Sequence, residues 1–145
     1  MPDAPAGVKR VLLVDDEPSV IDVLTECFAR FQHAHAYEIE TASNGTDGYL
    51  AVLRVQPDLV LLDMTMPGMD GLQLLKQIRA LDARLPVIMI TANEYTQAAA
   101  DAQTAGVFAY VPKPFDVRRL EHLVALVFST PHRERGGAPG GAPTR

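Results

Sequence analysis

From Val8 onward the chain alternates between short apolar runs and longer stretches whose apolar residues recur every three or four positions. VKRVLLV (8–14) predicts a strand ending at Asp15 and Asp16. In PSVIDVLTECFARF (18–31), Val20, Ile21, Leu24, Cys27, Phe28 and Phe31 fall on one helical face. Pro18 suits the first turn of that helix, where a missing N–H costs nothing. YEIETA (37–42) sets Tyr37, Ile39 and Thr41 against Glu38 and Glu40, the alternation of a half-exposed strand. The turn signal SNG (43–45) leads into a helix over 46–55. LVLLD (59–63) and PVIMIT (86–91) are apolar up to their last residue, as strands covered on both faces are. Between them, 72–81 reads as a helix with Leu72, Leu75, Ile78 and Arg79 within reach of one face. EYTQAAADAQTAG (94–106) is an Ala-rich helix closed by Gly106. VFAYV (107–111) is a fifth strand. Asp116 then caps a last helix with Val117, Leu120, Val124 and Val127 as its core stripe.

Five apolar strands alternating with five helices indicate an α/β fold: a parallel, doubly wound sheet with helices on both faces and right-handed crossovers. In such sheets ligands bind outside the carboxyl ends of the strands, near a topological switch point. The length of 145 residues and the 48 % hydrophobic content suit one domain with a real core. Residues 8–129 form that domain. Residues 1–7 read as a loose N-terminus and the Gly/Pro-rich 130–145 as a disordered tail.

Charge and cysteine usage narrow the function. A net charge of −5 argues against direct nucleic-acid binding, which calls for a basic stripe. The single cysteine, Cys27, cannot form an internal disulfide and reads as a small buried thiol. The start MPDAPAGVKR lacks the layout of a signal peptide, and no apolar run is long enough for a membrane span. A cytoplasmic protein without membrane insertion is the expectation.

The chemistry sits where the apolar runs stop. The first strand ends in Asp15, Asp16 and Glu17, the third in Asp63, the fourth in Thr91, and the fifth leads to Lys113. A parallel sheet sets these ends on one edge. Alone, each residue has an ordinary reading: Asp15 and Asp16 as helix caps, Asp63 as a turn former, Thr91 as a strand residue, Lys113 as a solvated lysine. Those readings do not explain why all of them fall at strand ends. Carboxylates brought together repel, and a hard divalent cation such as Mg²⁺ removes the repulsion. With an ammonium and a hydroxyl added, the group suits a phosphoryl ligand, and an aspartate can form a covalent acyl phosphate.

Four motifs in order, LLVDDEP, DLVLLDMTMPGMDG, MITAN and YVPKPF, resemble those of the receiver domain of two-component response regulators, over roughly residues 8–129. The resemblance implies a flavodoxin-like (βα)5 fold. It implies that Asp63 is the phosphoacceptor. Asp16 would be a direct metal ligand, Asp15 would assist through water, and Thr65 would offer its backbone carbonyl, the ion being Mg²⁺ or Mn²⁺. Thr91 would be the switch hydroxyl, Lys113 the phosphate-binding lysine, Lys113–Pro114 a cis peptide, and Tyr110 the aromatic that changes rotamer. Thr65 and Asn93, two beyond Asp63 and Thr91, match positions that tune dephosphorylation. The segment 28–42 looks longer than usual; its His33 and His35 read as exposed loop residues, and His122 and His132 as surface residues.

The resemblance further implies a phosphoacceptor protein rather than an enzyme, one that assists its own phosphorylation and dephosphorylation. Its donor would be a sensor histidine kinase or a histidine phosphotransfer protein. Its output would be a changed surface of the fourth helix, fifth strand and fifth helix, read by an unidentified downstream protein, with a possible homodimer through that face. Two other readings compete. A haloacid-dehalogenase-like phosphohydrolase also uses an aspartate nucleophile, but it carries a second aspartate where Thr65 stands. The input half of a DNA-binding regulator would need an output domain, which 130–145 cannot form; a stand-alone receiver is the expectation.

Overall fold

Five parallel strands form one sheet in the order β2-β1-β3-β4-β5: β1 Val8–Val14, β2 Ala36–Ala42, β3 Leu59–Asp63, β4 Val87–Thr91 and β5 Ala109–Pro112. Five helices connect and follow them: α1 Pro18–Arg30, α2 Gly45–Val55, α3 Gly71–Leu81, α4 Gln97–Ala105 and α5 Val117–Ser129. The computed structural model describes residues 7–92 and 97–129. Expectations for the N-terminal residues before Gly7, for Asn93, for His132 and for the 130–145 tail lie outside them.

The strand order explains the two cores. The chain steps from β1 to β2 in one direction and from β3 to β5 in the other. Right-handed crossovers therefore put α1 on one face and α2, α3 and α4 on the opposite face, and α5, after the last strand, packs beside α1. On the first face Val11, Leu13, Leu61, Ile88 and Val111 meet Leu24 and Phe28 of α1 and Leu120, Val124 and Val127 of α5. On the second, Leu12, Val14, Leu62 and Met89 meet Val52, Leu74, Leu75 and Ala102. β3 and β4 are buried along their whole length, as their unbroken apolar runs require.

Several boundaries and burial assignments differ from the sequence pattern. β5 starts at Ala109, because Val107 N–H closes α4 on the Ala102 carbonyl (3.3 Å) before the strand begins. In α3 the buried residues are Gly71, Leu74, Leu75 and Ile78, with Leu72 only partly buried. Val117 is 45 % exposed because it lines an open hollow between α1 and α5, beside Val23 and Cys27, that no element among the described residues fills. Thr41 is exposed too, on the wall of a cleft over the end of β1. Cys27 is a buried free thiol, and burial pushes its pKa up.

His33 and His35 are not exposed loop residues. They enter an aromatic cluster with Phe28, Phe31, Tyr37 and Phe128. A ring nitrogen of His33 is hydrogen-bonded to the Tyr37 hydroxyl, and its Nε2 lies 3.6 Å from Glu121 of α5. Hydrophobic packing at the foot of α1 and α5 draws these rings inward, where the long connection read as an exposed loop.

Candidate functional site

Parallel register lines up the strand ends. Val14 pairs with Leu62, Asp63 with Ile90, and Thr91 with Pro112. Asp15, Asp63, Thr91 and Lys113 therefore lie in adjacent rows of one edge. Asp15 is held by its N–H, which donates to the Ala42 carbonyl (3.1 Å), and Lys113 by its N–H on the Thr91 carbonyl (2.6 Å). The Lys113–Pro114 peptide is cis. Asp15 (3 % exposed), Asp63 (5 %) and Thr91 (0 %) are buried, whereas Asp16 is exposed.

The ammonium of Lys113 sits among carboxylates. Its Nζ is 3.2 Å from Asp15 Oδ2, 3.5 Å from Glu17 Oε1 and 3.7 Å from Asp63 Oδ1. Burial alone would push Lys113 down, but Asp63, Asp15 and Glu17 together hold it above its ordinary range. Asp63 is pushed up to about 6, chiefly by burial and then by the Asp15 charge, against the opposing pull of Lys113 and of the Thr65 N–H. That N–H donates to Asp63 Oδ1 at 3.3 Å and is the contact through which exposed Thr65 joins the site.

One ammonium does not balance this group. Asp15, Asp16 and Asp63 each offer a carboxylate oxygen, and the three oxygens lie within 4.8 Å of one another. The Asp15 and Asp16 charges add to burial in raising the Asp63 pKa, and the pull of Lys113 does not cancel that rise. Hard oxygen donors in this number fit a hard divalent cation such as Mg²⁺.

Local structure keeps the Asp63 end in place. After β3 the chain turns through Gly68, and Asp70 caps α3 by accepting from Gln73 N–H, while the Gln73 side chain accepts from Asp70 N–H. Gly71 N–H donates to the Met64 carbonyl (2.8 Å), and a Cβ at Gly71 would stand 2.6 Å from Met64 Cα and collide with the Asp63 carbonyl oxygen. The spacing Asp70-x-x-Gln73 announces that cap; nothing local announces the close approach at Gly71. Tyr110 is half-buried and packs on the α2–α3–α4 core face.

The family model of the response regulator receiver domain matches residues 11–125. The chain belongs to that family. This receiver domain is 38 % identical over 118 residues to the regulatory protein AtoC of Escherichia coli, a match covering 81 % of the chain and 25 % of AtoC. It is 33 % identical over 116 residues to sporulation initiation phosphotransferase F of Bacillus subtilis, covering 80 % of the chain and 90 % of that protein. The solved receiver domain protein of Methanospirillum hungatei superposes with a TM-score of 0.76 at 27 % identity, over 84 % of this chain and 95 % of that one. The chain thus spans a quarter of AtoC but nearly all of the sporulation protein.

Family membership sets aside the phosphohydrolase reading. The receiver domain is a phosphorylation-dependent switch of two-component signalling, and receiver domains take their phosphoryl group from histidine kinases. Among the described residues, no helix is long and apolar enough to cross a membrane.

Proposed function

We propose that Asp63 is the phosphoacceptor, and that Lys113 and Thr91 receive the phosphoryl group. The observation that carries this reading is a buried carboxylate at the end of β3, 3.7 Å from a lysine ammonium and beside two further aspartates. Asp63, Asp16, Asp15 and the Thr65 backbone carbonyl would hold Mg²⁺ or Mn²⁺. The bound ion supplies positive charge to the carboxylates and to the phosphoryl oxygens.

The donor is a phosphohistidine of a sensor kinase or a histidine phosphotransfer protein. A carboxylate oxygen of Asp63 attacks phosphorus in line, the P–N bond breaks, and the imidazole leaves with the electron pair. The acyl phosphate carries roughly −1.5 to −2 charge. Lys113 shifts from its carboxylate partners to a phosphoryl oxygen, and the Thr91 hydroxyl donates to another. Displacement of Thr91 opens room for Tyr110, and the surface of α4, β5 and α5 changes. A partner that binds one form of that surface better reads the signal. Hydrolysis by water, flanked by Thr65, resets the switch. We infer that this cycle runs in the cytoplasm, with residues 8–129 as its working unit.

Acetyl phosphate with Mg²⁺ tests the assignment. Intact mass should show one base-labile phosphate adduct on the wild type and none on Asp63→Asn. An adduct of equal yield on Asp63→Asn would move the phosphoacceptor elsewhere.

A further inference from the structure

α4 is anchored to the molecule at its C-terminal end. Ala102 is fully buried and Ala105 packs on the same cluster, while Ala100, Gln103 and Thr104 are exposed. Small side chains make few dispersion contacts, so the grip over residues 100–105 is weak. The C-terminal turn is different. Gly106, at φ +98°, donates its N–H to the carbonyls of Gln103 and Ala102 (both 3.1 Å), and Val107 N–H reaches the Ala102 carbonyl. These are the paired bonds of a Schellman closure, which needs the left-handed residue that glycine supplies. Phe108 N–H then ties the chain to the Val87 carbonyl of β4 (2.8 Å).

Arg79 of α3 clamps this turn from the outside. Its Nη2 and Nε donate to the Gly106 carbonyl at 2.7 and 3.2 Å. Its Nη1 donates to the carbonyls of Leu85 (2.6 Å) and Asp82 (3.3 Å). One guanidinium therefore joins the end of α4, the end of α3 and the entry to β4. The charge also stands at the negative ends of two helix dipoles. Only a planar fork reaches all three carbonyls, and a lysine does not.

The opposite end of α4 follows the carboxyl end of β4, on the edge that holds Asp63 and Thr91. We propose that Arg79 is a positioning residue for the switch: it fixes Gly106 as the pivot about which α4 swings when the state of Asp63 changes. This rests on the switch reading given above. A helix anchored at its far end converts a small displacement near Thr91 into rotation, without loss of its C-terminal cap.

Hydrogen exchange of backbone amides in the full chain, with and without beryllofluoride and Mg²⁺, tests it. In the wild type, beryllofluoride should change exchange in the N-terminal half of α4 and leave the amides of Gly106, Val107 and Phe108 unchanged. In Arg79→Lys, those three amides should exchange about tenfold faster, the effect of losing a charge-assisted hydrogen bond, and should become responsive to beryllofluoride. A wild-type response centred on 105–108, or an Arg79→Lys response identical to wild type, overturns the pivot and leaves the switch standing. No response anywhere in the chain overturns both.

Discussion

Gly71 lies so close to the backbone carbonyl of Asp63 that no side chain fits between them. The first turn of α3 thereby buttresses the residue that carries the chemistry. Gly71→Ala should force the two backbones apart and destabilise the fold by about 1–3 kcal/mol, the usual range for overpacking. It should also slow modification of Asp63 by acetyl phosphate, because the carboxylate is no longer held in register with Lys113. Urea denaturation and the rate of adduct formation measure the two effects. A stable variant with unchanged rate would show that the contact is incidental.

The Asp63 carboxyl, pushed up to about 6, gives the metal-free protein a distinctive pH profile. Above its ordinary value of 3.8 the unfolded chain has released this proton while the folded protein still binds it. Folding therefore binds the extra proton, and this contribution is full at low pH and lost as pH rises through about 6. The rise corresponds to roughly 3 kcal/mol at neutral pH, and Asp63→Asn should recover most of it. Thermal melts in chelator at several pH values check this. Mg²⁺ at neutral pH should raise the Tm of the wild type more than that of Asp63→Asn, and equal rises would argue against ion binding at Asp63.

Removing Lys113 tests the same electrostatics from the other side. Asp15 and Asp63 are both buried, and Lys113 is the cation between them. Lys113→Ala should cost about 3 kcal/mol at neutral pH, the lower end for breaking a buried pair. The loss should shrink as pH falls toward 6, because Asp63 without the pull of Lys113 takes up its proton at higher pH than in the wild type. A loss independent of pH would mean that the lysine acts through packing alone.

Asp15, Asp63, Thr91 and Lys113 were legible because each interrupts an apolar run and the fold class sends parallel strand ends to one edge. The same periodicity misplaced Val117 and Thr41. It reports which face a side chain takes, not whether another element covers that face. The contacts of Gly71 and Arg79 were illegible for a related reason. Their partners are backbone carbonyls, Asp63 and Gly106, whose approach depends on how α3 settles against the sheet. Glu17 was visible as a strand-end acid, but its contact with Lys113 spans 96 residues of chain.

The histidine-rich connection between α1 and β2 yields the last prediction. His33 links Tyr37 of β2 to Glu121 of α5, and its side chain is 10 % exposed. Tyr37 is pushed up to about 12, first by burial and then by the Glu121 charge, so its hydroxyl stays protonated at neutral pH. Tyr37→Phe keeps the ring in the aromatic cluster and leaves the His33 ring nitrogen without its partner. The loss should be about 1–3 kcal/mol, the penalty for an unsatisfied buried polar group. His33→Phe in the same background removes the orphaned nitrogen and should restore part of that stability. A double-mutant cycle by urea denaturation should therefore be non-additive. Simple additivity would show that Tyr37 and His33 pack side by side without being coupled.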